Sequence, residues 1–486
     1  MMADRATHIA RCASSGSPAC FRHARVVLLW SGIIFVCGGL VLYPVAARAV
    51  PLVEKSAHYV VLDGSFKSFF FGLHMPRHPE VMLDFLEIRN DYGAMAIADV
   101  RLKLEGEHKM RWQWKLHLRS QPLTSTFPNA MSFMGTGGSA RPARALPLQT
   151  MQPFADRFQW YHEVDRLQAS VRLGKFTIIL GRQPISLGVG FVWKPADLVG
   201  TFSPLEVDRE YKPGVDALRV DWALGAFTEL SLIGAAGGPA CRDGSLPNGE
   251  PCHDYEPRFE LDYSVALTRF RTTVGRFDLG ALAGWVRGDV VGGVFATGTI
   301  KRFRIRSEAV VTYDVEEDRG AAGFGQSTYV GAGNPNDEDA VFVRAVLGAD
   351  YQFDTKQKLF VLAELYYNGF GSHKTEDYAD LMTRPRVQEL GEVVNVGLLY
   401  AAVGVNWEPH YRVPLALTVM GNLLDPSLHI SATATYKLGD NSILEGGAFI
   451  PVGRGPRFDE NNLRLEIRSE FGFYPYVYYL AWKMYF

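Results

Sequence analysis

The stretch MRWQWKLHLRS, residues 110–120, sorts its side chains by parity. Met110, Trp112, Trp114, Leu116 and Leu118 share one face, while Arg111, Gln113, Lys115, His117 and Arg119 share the other. A period of two over such a length is a β-strand with an apolar medium on one side and a polar one on the other. The pattern returns in DVRLKLE (99–105), in RLQASVRL (166–173) and in KRFRIRSEAVVTYDV (301–315), where Phe303, Ile305, Ala309, Val311 and Tyr313 oppose Arg302, Arg304, Arg306 and Glu308. Strands of about ten residues or more, in such number, are too long for an ordinary sandwich and long enough to cross a bilayer at a tilt.

Connection lengths support the same reading. Tight turns at 106–109, 173–175, 223–226, 354–356, 408–410 and 438–440 alternate, for most of the chain, with long polar segments near 122–157, 188–211, 236–256, 316–338 and 370–391. Short turns on one side and long loops on the other mark an outer-membrane barrel. The expected fold is all-β, a transmembrane antiparallel barrel of about 18 strands running from 57–69 to 474–486, with both ends on the short-turn side. The alternating stretch 461–470 is read as an outer extension of the last strand, with a bulge near Pro475.

The beginning of the chain reads as a leader. Arg22 and Arg25 precede an apolar run from Val26 to Leu42, and Ala47-Arg48-Ala49 has the small-x-small form of a cleavage site. Residues 1–49 are therefore expected to be a signal peptide, with an uncleaved anchor as the alternative, and 50–486 the barrel. Taking away Arg5, Arg11, Arg22, Arg25, Arg48 and Asp4 from 50 basic and 52 acidic residues leaves 45 against 51, net about −6. That balance argues against a nucleic-acid partner. Cys12, Cys20 and Cys37 go with the leader, so Cys241 and Cys252, in one polar segment, are expected to pair as a loop staple. A zinc site would need more ligands than His253 and Asp254, so no metal or other cofactor is expected.

In the final stretch YVYYLAWKMYF, Tyr478, Leu480, Trp482, Met484 and Phe486 form an apolar stripe suited to lipid, in a strand that must pair with the first. The stretch resembles the terminal targeting signal of bacterial outer-membrane barrels. That resemblance implies the bacterial outer membrane as location, membrane lipid as surroundings and the barrel-assembly machinery as a partner; the oligomeric state stays open.

The polar parity assigns the inner wall. Arg101, Lys103, Arg111, Lys115, Arg119, Arg166 and Arg172 are expected to line it, followed by Arg182, Arg219, Arg302, Arg304, Arg306, Arg344 and Lys437. Acids at Asp99, Glu105, Asp221, Glu260, Asp262, Glu308, Asp314, Glu364 and Glu445 face them, so any one arginine is as readily a brace as a pore group. The triplet Arg302, Arg304, Arg306 stands out, because like charges on one face repel unless an anion or several acids answer them.

Residues 181–220, GRQPISLGVGFVWKPADLVGTFSPLEVDREYKPGVDALRV, resemble a signature of the alginate-export family and related porin-like barrels. The matching positions are Gly181, Arg182, Gln183, Gly188, Gly190, Trp193, Pro195, Asp197, Pro204, Asp208, Glu210, Gly214, Val215, Asp216 and Ala217; Leu187 replaces an aromatic. The resemblance implies a channel passing anionic solutes, an acidic polysaccharide or something smaller. It also implies an inward constriction loop carrying Trp193, Asp197, Asp208, Arg209 and Glu210, which equally serves as a plug that braces the barrel. Two other classes of function would leave their own marks in the sequence. An enzyme would need a nucleophile and base, yet neither G-x-S-x-G nor H-E-x-x-H occurs, and His117 and His162 read better as polar wall residues. An adhesion or assembly role would fall to the long segments around 127–147 and 316–319.

Overall fold

In the computed structural model, described for residues 49–55, 58–80, 83, 88, 91–127, 143–155, 157–200, 207–239, 256–315, 341–388, 391–459 and 464–486, the alternating segments form a single sheet of 20 strands closed on itself. Eighteen of these run round the barrel. The first six are β1 (His58–His74), β2 (Tyr92–His108), β3 (Trp112–Ser125), β4 (Phe158–Leu173), β5 (Phe176–Gln183) and β6 (Val215–Ala223). The next six are β7 (Thr228–Ala236), β8 (Val265–Val274), β9 (Phe277–Val286), β10 (Asp289–Ile300), β11 (Phe303–Tyr313) and β12 (Val341–Gln352). The last six are β13 (Phe360–Asn368), β14 (Leu399–His410), β15 (Val413–Asn422), β16 (Ser427–Lys437), β17 (Ser442–Val452) and β18 (Tyr476–Tyr485). Every neighbour is antiparallel, and β18 closes the ring on β1 with Ser65 opposite Tyr485 and His74 opposite Tyr476.

The outer face is what parity demands of a lipid-facing wall. Leu118, Leu167, Leu347 and Leu480 are 44–56% exposed, which water would penalise and hydrocarbon does not. Tyr478 shares this face; Trp482 lies on it too, edge-on to Phe66 and donating its indole N–H to Ser442 at 2.9 Å. An antiparallel barrel with an apolar outer belt is the architecture of an outer-membrane protein.

Two sheet strands lie outside the ring. Val50–Lys55 pairs with β1 from His58 to Leu62, the part of that edge β18 does not reach. Gln149–Ala155 pairs with the upper end of β4, where β5 has already ended. Each covers backbone groups that would otherwise form an open edge.

Of the stretch 461–470, the described residues 464–470 do not extend the last strand. Arg457–Asp459 and Arg464–Glu466 make a separate two-stranded hairpin, followed by a helical turn at Glu470–Phe473. Glu470 and Phe471 are fully buried in that turn, so burial of these two side chains overrides the alternation. The leader, the segment holding Cys241 and Cys252, and residues 316–340 fall outside the described residues.

Facing can be tested by one pair of substitutions. Leu347→Arg, on the lipid side of β12, should lower folding in bilayers by about 2–4 kcal/mol, whereas Ser431→Arg on the inner wall of β16 should leave the folded fraction unchanged. Heat-modifiable electrophoretic migration reads both.

Candidate functional site

The connection from β5 to β6, residues 184–214, is far longer than two adjacent strands require. Its outgoing arm runs to the far side of the lumen. There the Val189 and Ala196 N–H groups donate to the Glu308 carboxylate at 2.6 and 3.3 Å. Phe191, Val192 and Trp193 donate theirs to Glu364, the last two at 2.7 and 3.3 Å. Glu308 stands on β11 and Glu364 on β13, so two inward carboxylates hold the backbone of a segment that began on β5. Charge-assisted bonds of this kind are stronger than neutral ones. Glycine is needed at 190, where a Cβ would fall 1.9 Å from the Trp193 carbonyl oxygen. The Trp193 ring stacks on Tyr366 with centroids 5.3 Å apart, and its indole N–H donates to Asn395 at 2.9 Å.

The returning arm is held by cations. Lys67 of β1, buried, bridges Asp208 and Glu210 at 2.7 Å each, and the Tyr485 hydroxyl donates to Glu210 at 2.6 Å. Three cations surround the Tyr211 ring: Arg101 at 4.1 Å, Lys103 at 4.8 Å and Lys67 at 5.1 Å from its centroid. The Lys212 ammonium reaches Asp197 at 2.5 Å and the Ser186 hydroxyl at 3.0 Å, tying the two arms together. Arg209 is exposed on this arm.

A second inward layer packs on Trp193. Glu470 accepts from the Tyr400 hydroxyl, from Asn395 at 2.8 Å, from Asn422 at 3.1 Å and from the Val396 N–H at 3.2 Å. Burial raises this carboxyl to about 7, against the pull of its donors Tyr400 and Asn395. Arg344 of β12 is locked to Glu392 at 2.6 Å, and Arg386 joins Asp289, Asp314 and Glu392 at 2.5–3.1 Å, fixing the segment after β13.

Beside these packed segments the wall of β14 to β17 is lined by small or uncharged inward residues, among them Gly404, Ala416, Thr418, Ser431, Thr433 and Gly447. A cavity of about 400 Å³ opens along it, bordered by Gln352, Phe360, Asn406, Ala416, Thr433 and Thr435, with the paired Lys358 and Glu408 at its edge.

The residues expected on the inner wall divide by what they touch. Arg101 pairs with Asp165, Lys115 with Glu105 at 2.8 Å, Arg119 with Asp99 at 2.5 Å and Glu163 at 3.0 Å, Arg166 with Asp165 at 3.0 Å, and Arg219 with Asp221 at 2.8 Å. Arg172 is exposed at the foot of β4. Three positions need correction. Arg111 and Arg302 sit in tight turns, not on strands, because the hairpins reverse at those residues. Arg182 stands opposite Leu167, a lipid-face residue, and is fully buried in a bidentate pair with Asp216 at 2.7 and 2.9 Å. Its further bonds to the carbonyls of Val164 and Leu146 make it the brace of the seam where β4 and β5 part. The triplet at 302–306 thus reduces to Arg304 and Arg306, which share Asp350 at 3.9 and 2.9 Å. His117 meets Glu105 at 2.9 Å, whereas a register shift beside it places His162 opposite Ser120, so the two histidines do not converge. Two inward arginines were not singled out from sequence: Arg269 and Arg271 of β8, in a strand, VALTRFRTTV, whose alternation is weak.

Comparison with protein-family models and with curated proteins gives no match, so the likeness of residues 181–220 to the alginate-export family has no counterpart there. Solved structures similar to the chain include Acinetobacter baumannii OccAB1, 8% identical with a TM-score of 0.48 over 90% of this chain and 98% of that one. Pseudomonas aeruginosa OccK8 (OprE) is 8% identical with a TM-score of 0.49 over 88% and 98%. A triple mutant of Rhodopseudomonas blastica porin is 10% identical with a TM-score of 0.39 over 88% and 100%. Scores at this level add nothing to an architecture that the strand register already establishes.

Removing the Glu364 side chain with Glu364→Ala leaves three backbone N–H groups without their acceptor, at about 1–3 kcal/mol each. The barrel should still assemble, and hydrogen-exchange protection of the Phe191, Val192 and Trp193 amides should fall; unchanged protection would contradict the latch. Glu470 gives a pH dependence. Its folded-state carboxyl lies above its ordinary value, so its contribution to the packed arrangement is present below about pH 4.5 and lost as pH rises through about 7. Hydrogen-exchange protection of the Val396 amide, corrected for intrinsic rate, should therefore fall across that range, and Glu470→Gln should flatten the change.

Proposed function

We propose that the protein is a bacterial outer-membrane channel for small solutes, with a preference for anions. The observation that carries this reading is the crossing segment 184–214, latched to β1 on one side and to β11 and β13 on the other. A latched crossing segment narrows the bore without sealing it, and the wall of β14 to β17, where small and uncharged residues predominate and Glu445 is paired with Lys483, offers the remaining path with its cavity of about 400 Å³. Small solutes suit that path better than a continuous acidic polysaccharide, which would need the second inward layer around Glu470 to move aside.

The anion preference rests on charge balance within the wall. On β1 to β4 the cations are committed to Asp208, Glu210, Tyr211 and neighbouring acids. Between β8 and β12 they are not: Arg304, with its side chain 57% exposed, shares a single carboxylate with Arg306. An excess cation lowers the barrier for anions and raises it for cations.

In a planar bilayer the purified barrel should form ion-conducting channels whose reversal potential under a KCl gradient favours chloride. Arg304→Gln should move that potential toward the cation side at about 0.1 M salt, and the difference should shrink at about 1 M, where the screening length falls to about 3 Å. Absence of conductance, or cation selectivity in the unmodified protein, would refute the reading.

A further inference from the structure

We infer that Arg269 is the anion-binding group of the channel, forming with Arg219 and Arg271 a subsite for a small oxyanion under the crossing segment. The inference rests on the channel reading above and adds to it a binding place for the anion, apart from the long-range charge that Arg304 contributes to selectivity.

Arg269 differs from the other inward arginines of known contact. Arg101, Arg119, Arg166, Arg219, Arg306 and Arg344 each hold a carboxylate. Among the described residues Arg269 holds none. Among the described residues its one hydrogen bond is long, 3.5 Å, from a terminal nitrogen to the Leu187 carbonyl of the crossing segment, and its buried Nε has no acceptor there. A guanidinium taken partly out of water with no carboxylate is costly unless an anion completes it.

The position is built, not incidental. Phe295 of β10 lies opposite Gly280 of β9, and a Cβ on Gly280 would fall 2.0 Å from the end of the Phe295 ring. Glycine at 280 therefore lets the ring lie flat on the wall. Arg269 rests on that ring, 4.6 Å from its centroid, which fixes the plane of the guanidinium fork. A fork held in one plane presents two parallel N–H donors to a carboxylate or phosphate oxygen pair.

The surrounding charges favour an anion. The neighbours of Arg269 are the cations Arg219 and Arg271 and the acids Glu229 and Asp197. Asp197 is engaged by Lys212 at 2.5 Å, the Ser231 hydroxyl goes to Asp221 at 2.6 Å, and Glu229 stands opposite Arg271 in the register, so three arginines face the two carboxylates Asp221 and Glu229. Asp221 is taken by Arg219 at 2.8 Å. Since the Leu187 carbonyl is already within reach of the guanidinium, a solute moving past the underside of the crossing segment comes to Arg269.

The test uses the full barrel in a planar bilayer in KCl. Inorganic phosphate and, separately, acetate are titrated while chloride current is recorded, and the variants are Arg269→Gln, Arg269→Lys and Arg304→Gln. In the unmodified protein at least one of the two anions should reduce the current saturably, and which one does identifies the preferred oxyanion. Arg269→Gln should raise the half-blocking concentration about tenfold or more, Arg269→Lys, which keeps charge but not the fork, by an intermediate factor, and Arg304→Gln by less than about twofold. Among the described residues Arg269 makes no ion pair, so its replacement by glutamine should not impair assembly; should it do so, the lysine variant alone decides. Conducting channels with no saturable block by either anion, or with equal half-blocking concentrations in the unmodified, Arg269→Gln and Arg269→Lys proteins, would overturn this inference while leaving the channel reading intact. Absence of conductance overturns both.

Discussion

Every backbone N–H and C=O that enters hydrocarbon must be paired within the protein, and for strands only a closed ring achieves this. The pairing of β18 with β1 is therefore the contact on which the rest depends. It imposes the parity that sends Leu118, Leu347 and Leu480 to lipid and Lys67, Glu308 and Glu364 inward. Once the wall is closed, the inward residues face one another across a narrow lumen, and the chain uses their charges to fasten its own loops.

The fastening runs in two opposite senses. On β11 and β13 the wall supplies carboxylates and the crossing segment supplies backbone N–H groups. On β1 and β2 the wall supplies cations and the segment supplies Asp208, Glu210 and the face of Tyr211. The segment is thereby oriented as well as held, since neither arm fits the other's anchor. Its polar commitments crowd one side of the lumen, which leaves the small, uncharged residues of β14 to β17 facing open space.

Much of the fold was legible because its signal is local. Most of the 18 spanning strands follow from alternation and turn chemistry within their own dozen residues, as Trp112, Trp114 and Leu118 illustrate. What was not legible depends on partners far along the chain. Parity placed Arg302 on the wall, but the β10–β11 hairpin reverses through it. A strand phase carried forward from Leu167 could not anticipate the register shift that turns His162 away from His117. The stretch 461–470 alternates as a strand does, yet the buried Glu470 turn takes over. The site was half visible: Trp193, Asp197, Asp208 and Glu210 announced an inward loop, whereas Arg269 carries no motif. Its distinction is the carboxylate it lacks, and only the assembled wall reveals that.

The short strand Val50–Lys55 has a bearing on how the barrel is sewn shut. It occupies the edge of β1 from His58 to Leu62, directly below the residues that receive β18. A strand has a side-chain period of two, so a slip of one residue at the closing seam would invert the lipid-facing and water-facing sets of the last strand. With the lower edge already taken, β18 cannot slide past Ser65. The segment thus acts as a doorstop, setting the point at which the zip must end and leaving one alignment for the final seam.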